Sequence, residues 1–318
     1  MATENTVEST PDVGVTPYIV NGSNASVTDF PSMASLFIDR IEYDGVYSTG
    51  PYCGATILDN YHVLTAAHCI YDDQDAQLFT VVVPQLEDTS LFPNGSIQKV
   101  RVSEVYYRTD YSNSINQLLR NDIAILKLEA SLNLQSSAET VIPPFDTYLD
   151  AANDFVAVGH GDIKTDVDGT TLLQQVDLTY VDTLNCKAVF GPLVTEKQIC
   201  FNGDGPDDGL YGGPVFWKNG STYEQVGITS FGPTTCGAGI GVTSVFTEIY
   251  DYKDWITDVT NGAIDSTETV QFTATEAKRV AVAGTSASTG SGSSGGSVSF
   301  GLLGMLMLIA GVRKAVKR

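Results

Sequence analysis

The chain has 318 residues, 42% of them hydrophobic and 17% charged, enough for one large or two small packed domains, and a mean hydropathy of +0.01 excludes wholesale disorder. The net charge is -21, and four of the 17 basic residues, Arg313, Lys314, Lys317 and Arg318, crowd into the last six positions, so the preceding 312 residues carry 13 basic against 38 acidic groups. A body near -25 repels phosphate backbones, which argues against nucleic acid as a partner; the surplus charge serves solubility.

Met1 to Tyr18 is polar and acidic, without the basic start and apolar stretch of a secretory signal peptide, and reads as a propeptide-like segment. Either the start is truncated or export is not visible in it. From Ile19 to Thr260, short apolar runs such as Val81 to Val83, Ile123 to Leu126, Phe155 to Val158 and Val226 to Ile228 alternate with clusters of Gly, Pro, Asn and Asp. This pattern predicts an all-β barrel or sandwich domain over 19–260. Tyr252, Trp255, Ile256 and Val259 share one helical face, which predicts a closing helix over Tyr250 to Val259. No internal repeat is evident.

Residues 261–297 lose the strand rhythm, and Thr285 to Ser297 contains only Gly, Ser, Thr and Ala, so a low-complexity linker is expected there. Val298 to Val312 is apolar or small apart from Ser299, and the basic tip follows, so 298–318 reads as an anchor helix. Fifteen residues make about 22 Å of helix, short of the roughly 20 residues of a full span unless the terminal Lys and Arg snorkel. Linker, apolar helix and basic tip, with Ser294-Gly295-Gly296-Ser297 at the join, resemble the glycine-glycine C-terminal sorting signal of exported Gram-negative proteins. That resemblance implies a tail held in the inner membrane and removed by a rhomboid-type protease before surface display or release. A simple tail anchor is the alternative, and both place the folded body outside the cytoplasm.

Cysteine spacing agrees with that compartment: Cys53 with Cys69 and Cys186 with Cys200 are local pairs, leaving Cys236 over. No two cysteines have the two-residue spacing of zinc or redox sites, and neither a metal nor another cofactor is expected.

The segment Val63-Leu64-Thr65-Ala66-Ala67-His68-Cys69, preceded by Cys53-Gly54-Ala55, resembles the chymotrypsin/trypsin family of serine proteases. Further matches follow in the family's order: Ile19-Val20-Asn21-Gly22, Asn121-Asp122-Ile123-Ala124-Ile125-Leu126, Gly159-His160-Gly161, Gly212-Gly213-Pro214-Val215, Thr229-Ser230-Phe231-Gly232 and Asp254-Trp255-Ile256. The resemblance implies two six-stranded β-barrels packed at right angles with a cleft between them. It also implies His68 as general base and Asp122 as its orienter, a neutral imidazole taking the nucleophile's proton while a buried carboxylate fixes the tautomer. His62 and His160 are expected to be only solvated or packed.

At the nucleophile the sequence departs from the family. Its Gly-Asp-Ser-Gly-Gly-Pro becomes Gly209-Leu210-Tyr211-Gly212-Gly213-Pro214, so Tyr211 stands in the serine position. A phenol near pKa 10 on a rigid ring cannot take the serine's place beside His68 without displacing substrate. Leu210 replaces the aspartate that would bury the new Ile19 amine after activation, Tyr18 rather than Lys or Arg precedes Ile19, and Asp207 replaces the cysteine that would partner Cys236. Ser294 mimics the motif only by composition. Ser230 is expected to hydrogen-bond Asp122, and Gly209, Ser230, Phe231, Gly232 and Ser244 to line the substrate side, with Asp204 or Gly205 at the floor of the specificity pocket. The resulting expectation is an inactive homologue that binds a peptide or protein in the remnant cleft. An active endopeptidase with an unrecognised nucleophile or a misread 202–211 loop is the alternative.

Overall fold

The structure is a computed structural model; it describes residues 13–14, 22–94, 96–134, 138–150, 152–160, 170–203, 213–233 and 243–289. Two short strands, β1 (Val13–Gly14) and β2 (Ser23–Asn24), precede the first barrel. That barrel is built from β3 (Met33–Arg40), β5 (Cys53–Ile57), β6 (His62–Thr65), β7 (Thr80–Pro84), β8 (Val100–Arg108) and β9 (Ala124–Leu128), with β4 (Val46–Tyr47) as a flap on β3. Antiparallel pairing runs β3-β5-β6-β9-β8-β7 and back to β3, so the ring is closed. The second barrel comprises β10 (Phe155–Gly159), β11 (Gln174–Val181), β12 (Gln198–Gly203), β13 (Pro214–Asn219), β14 (Thr222–Pro233) and β15 (Thr243–Glu248). It closes in the order β10-β11-β12-β15-β14-β13. Closure gives each barrel strand a neighbour on both sides, which limits the sheet edge on which other chains could pair.

The apolar runs singled out in the sequence fall in β7, β9, β10 and β14. Burial follows the two-residue strand period most plainly in β11, where Gln174, Val176 and Leu178 are buried while Asp177 and Thr179 face outward. Ile57, Val63, Leu64, Val82, Ile125 and Leu126 belong to one buried apolar cluster on the strands of the first barrel, and Phe155, Phe201, Val215, Val226 and Phe246 to another on the second. The barrels are joined by buried polar groups as well: Thr56 Oγ1 and Thr140 Oγ1 both donate to Gln225 Oε1, at 2.7 and 2.9 Å.

Three helices decorate the barrels: α1 (Gln74–Phe79), capped by Asp73, lies beside β8; α2 (Thr183–Phe190), capped by Asp182, lies beside β12; and α3 (Lys253–Thr260) closes the domain. The expected helix over Tyr250 to Val259 starts as a tight turn, Ile249–Tyr252, before α3 takes over, and Tyr252, Trp255, Ile256 and Val259 all pack into the core of the first barrel.

The stretch after Thr260 corrects the linker expectation. Residues Thr269–Thr273 form β16, paired antiparallel with β8, and Glu276–Thr289 form α4. The anchor of α4 is Arg279, only 3% exposed. Its Nε and Nη2 donate to the backbone carbonyls of Leu78 and Val102, each at 2.7 Å, and its Nη1 pairs with Glu129 at 2.7 Å. Ala274 and Ala283 pack with Leu78 and Phe79 of α1. The packed body therefore extends at least to Ala283, and the helix continues to Thr289, into the Gly/Ser/Thr/Ala tract. Among the described residues no helix is long and apolar enough to cross a membrane. The apolar run 298–312, the basic tip and Ser294–Ser297 lie outside the described residues.

Candidate active site

His68 sits in a tight turn, Ala67–Cys69, at the end of β6, where the Cys53–Cys69 disulfide ties it to β5. Asp122 lies two residues before β9, the neighbour of β6, so the barrel ladder brings the two together. The carboxylate is wholly buried and well supplied with donors. The His68 backbone N–H reaches Oδ1 at 2.8 Å, His68 Nδ1 reaches Oδ2 at 2.8 Å, and Ser230 Oγ donates to Oδ2 at 2.7 Å. A carboxylate only accepts, so Nδ1 carries the proton and Nε2 is left with its lone pair free to take one. Burial disfavours a charge on the His68 ring, but the charge and hydrogen bond of Asp122 outweigh it and hold the pKa above the ordinary value.

Ser230 belongs to β14 of the second barrel, so its bond to Asp122 is also a link between barrels. Two further residues hold the aspartate in place. Thr247 Oγ1 donates to the Asp122 carbonyl at 2.8 Å, and Tyr252 OH donates to Asn121 Oδ1 at 2.7 Å. Asn121 has φ +59°, a left-handed conformation that Asn tolerates. Neither Thr247 nor the hydroxyl of Tyr252 stands out in the sequence: one is a threonine in a strand, the other an aromatic on a core face.

A cleft of about 240 Å³ opens from His68 between the barrels, past Tyr52, Gly159, His160, Gly213 and Ser230. His160, expected to be merely packed or solvated, is part of this wall. Its Nδ1 lies 3.3 Å from Ser35 Oγ and its Nε2 3.4 Å from the Glu87 carbonyl, and burial lowers its pKa to about 4. His62 pairs with Asp59 at 2.8 Å, away from the cleft. Gly213 admits no side chain: its φ is +159° and a Cβ would lie 1.9 Å from the Val158 carbonyl oxygen.

Phe231 is fully buried against Phe190, with ring centroids 5.5 Å apart, and Gly232 is buried beside it. Ser244 is 1% exposed and its Oγ has no hydrogen-bond partner among the described residues. The Cys186–Cys200 disulfide fastens α2 to β12 beneath Phe231. Cys53, Cys69 and His68 are the one grouping of potential metal ligands close together among the described residues, and its two sulfurs are joined to each other. Ile19, Asp204, Gly205, Asp207, Gly209, Leu210, Tyr211 and Cys236 lie outside the described residues.

Two closed antiparallel barrels, with a histidine–aspartate pair on one facing a strand of the other across a cleft, define the trypsin-like class of serine peptidase domains. The chain belongs to the trypsin family, whose model matches residues 19–256. It is 32% identical over 256 residues to chymotrypsin-like elastase family member 1 of Bos taurus, covering 78% of this chain and 90% of that protein. It is 30% identical over 242 residues to brachyurin of Leptuca pugilator, covering 75% and 96%. Against venom serine protease 34 of Apis mellifera, identity is 30% over 255 residues, and the match covers 77% of this chain but only 59% of that longer protein.

Proposed function

We propose that this chain is a non-catalytic member of its family that binds a peptide or protein in the remnant cleft. The observation that carries the reading is Tyr211 at the position of the nucleophilic serine, immediately before Gly212-Gly213-Pro214. His68 can still accept a proton at Nε2, but the hydroxyl that would supply it and attack the carbonyl is gone. Leu210 removes the carboxylate that would anchor the loop carrying the oxyanion donors, which weakens the remaining source of rate acceleration as well. Removing the serine of a triad costs roughly a millionfold in turnover, about 8 kcal/mol of barrier. The purified protein is therefore expected neither to cleave peptide esters or amides nor to be labelled by a fluorophosphonate probe. Stoichiometric labelling that His68→Ala abolishes would overturn the reading. Tyr211→Ser alone is expected to restore little, and Leu210→Asp with Tyr211→Ser and a free Ile19 amine more.

The second reading, an active endopeptidase with another nucleophile or a misread 202–211 segment, is favoured by the intact contacts among His68, Asp122 and Ser230. Resequencing the codons for Asp204 to Gly212 decides the misread segment, and the fluorophosphonate labelling above decides another nucleophile.

An extracytoplasmic location is supported by the two disulfides and by the relatives named as venom proteases of Apis mellifera and Polistes dominula. In this proposal residues 298–312 hold the tail in a bacterial inner membrane and a rhomboid-type protease cuts near Ser294–Ser297. An intact mass ending at Arg318 on surface-derived protein would reject the cut and leave a simple tail anchor.

A further inference from the structure

A second recess lies on the second barrel, where β11 turns into α2. It is a cavity of about 30 Å³ whose lining includes Leu149, Tyr180, Thr183, Glu196, Gln198 and Glu248, and it shares no lining residue with the cleft. Its most buried charge is Glu248, 5% exposed at the end of β15. Tyr148 OH donates to Oε1, and among the described residues no hydrogen bond reaches Oε2. The charges that act most strongly on this carboxylate, those of Asp251, Asp146 and Glu196, are all negative. Two lysines on adjoining segments are engaged elsewhere: Lys187 Nζ pairs with Glu196 at 3.1 Å, and Lys197 Nζ sits 5.0 Å over the Tyr252 ring. A buried carboxylate without a cation is costly, so the recess suits a positive group brought from outside the described residues. Its rim is apolar: Leu184, in the first turn of α2, is 81% exposed, and Leu149 and Phe145 are exposed on the segment between the barrels. Apolar knobs around an anionic hole fit a segment that carries apolar residues next to a lysine or arginine.

The chain itself has such a segment, in which the apolar run 298–312 leads straight into Arg313-Lys314-Ala315-Val316-Lys317-Arg318. Between Thr289 and Arg313 lie 23 residues, which span about 80 Å when extended, against a diameter of about 50 Å for a domain of this size. We propose that the basic tip of the chain docks in this recess, an ammonium or guanidinium reaching Glu248 while the adjoining apolar residues cover Leu149 and Leu184. The contact lies away from the cleft and does not depend on what the cleft binds. It is the state of the tail before a membrane takes it: the tether keeps the tip at a high effective concentration, and the apolar run is shielded against the body. A cut near Ser294–Ser297 releases the tip and opens the recess.

The test treats the full chain with a zero-length carbodiimide, which joins a lysine amine directly to a carboxylate, and maps the products by mass spectrometry. Lys314 or Lys317 is expected to be joined to Glu196 or Glu248 within one copy, at a yield that falls at least tenfold in Glu248→Gln and at least threefold in Leu184→Ser. Leu184 is exposed, so its variant keeps the test valid if the buried one folds poorly. A fluorescein-labelled peptide of residues 309–318 is expected to bind the full chain carrying Arg313→Gln, Lys314→Gln, Lys317→Gln and Arg318→Gln at least tenfold more tightly than the parent, in which the tip competes. The fall in stability from pH 5 to 7 is expected to be steeper in that neutralised chain, because the docked tip favours the charged form of Glu248. Links scattered over the acidic surface and unchanged in Glu248→Gln, or equal peptide affinity for the two chains, overturn the proposal. Links that join isotopically labelled to unlabelled copies would assign the recess to a second copy, and a Glu248-dependent rise in Tm with calcium chloride that abolishes the links would assign it to a metal ion; either result overturns the tip as its occupant.

Discussion

Arg279→Met tests whether the segment after Thr260 is an integral part of the domain. Methionine keeps most of the aliphatic stem but removes the guanidinium, leaving the carbonyls of Leu78 and Val102 each short of a donor and Glu129 without its partner. A buried polar group left unsatisfied costs about 1 to 3 kcal/mol, so the two carbonyls together cost roughly 2 to 6. Glu129 is 42% exposed, so its lost ion pair is screened and adds at most about 1 kcal/mol. A loss near 4 kcal/mol is a large fraction of the 5 to 15 typical of a folded domain, and at about 2 to 4 °C per kcal/mol it lowers Tm by roughly 10 °C. Urea titration and calorimetry of the variant against the parent read this directly. A change below about 1 kcal/mol, or a protein ending at Thr260 as stable as the parent, would refute the assignment of β16 and α4 to the folded body.

Glu248, 5% exposed, accepts a hydrogen bond from Tyr148 OH at 2.5 Å, and burial raises its pKa to about 7. Between the unfolded value near 4.5 and 7 the folded state holds a proton that the unfolded state has lost, so stability falls as pH rises through this window, by about 3 kcal/mol. Glu248→Gln is expected to flatten that part of the pH–stability curve and to gain stability at pH 8; an unchanged slope from pH 5 to 7 would refute the assignment. His68 is expected to titrate above 6.5 by NMR, its stabilising contribution being complete below 6.5 and lost as pH rises through the higher folded value. In Asp122→Asn burial acts alone, and the His68 pKa should drop below 6.5; a value that stays high would show that Asp122 is not the cause. Gly213→Ala forces a Cβ against the Val158 carbonyl and should cost about 2 kcal/mol or more in denaturant titration, whereas Gly220→Ala, in open space, is strained only by its φ of +65°.

The barrels were legible because short apolar runs alternate with turn-forming clusters and because the ordered motifs fix which loops meet; the Ser230–Asp122 bond could be anticipated from the same resemblance. What escaped notice shares a physical cause: it is held by backbone or by charge rather than by an apolar pattern. The buried centre of α4 is Arg279, a charged residue that hydrophobic periodicity scores as solvent-facing, and the visible apolar residue Val280 is 55% exposed. β1 pairs through two backbone positions, for which no side-chain pattern exists. His160 gave no signal because what brings it to the cleft is the packing of β10 against the first barrel, a tertiary relation.

The attachment of β16 and α4 has a temporal side. The strands of the first barrel are complete in the chain at Leu128, yet Glu104–Arg108, which pairs with β9 on one side, takes Thr269–Thr273 on the other, and Arg279 reaches back 201 and 177 residues to Leu78 and Val102. At about 5 to 20 residues per second, a ribosome needs on the order of 10 to 30 s after Leu128 to supply Arg279. For that interval the nascent barrel presents an unpaired strand flank and lacks the α3 residues Trp255 and Ile256 from its core. Contacts of such sequence separation make folding slow and late, so the first barrel gains its full set of contacts only after its last helix has arrived.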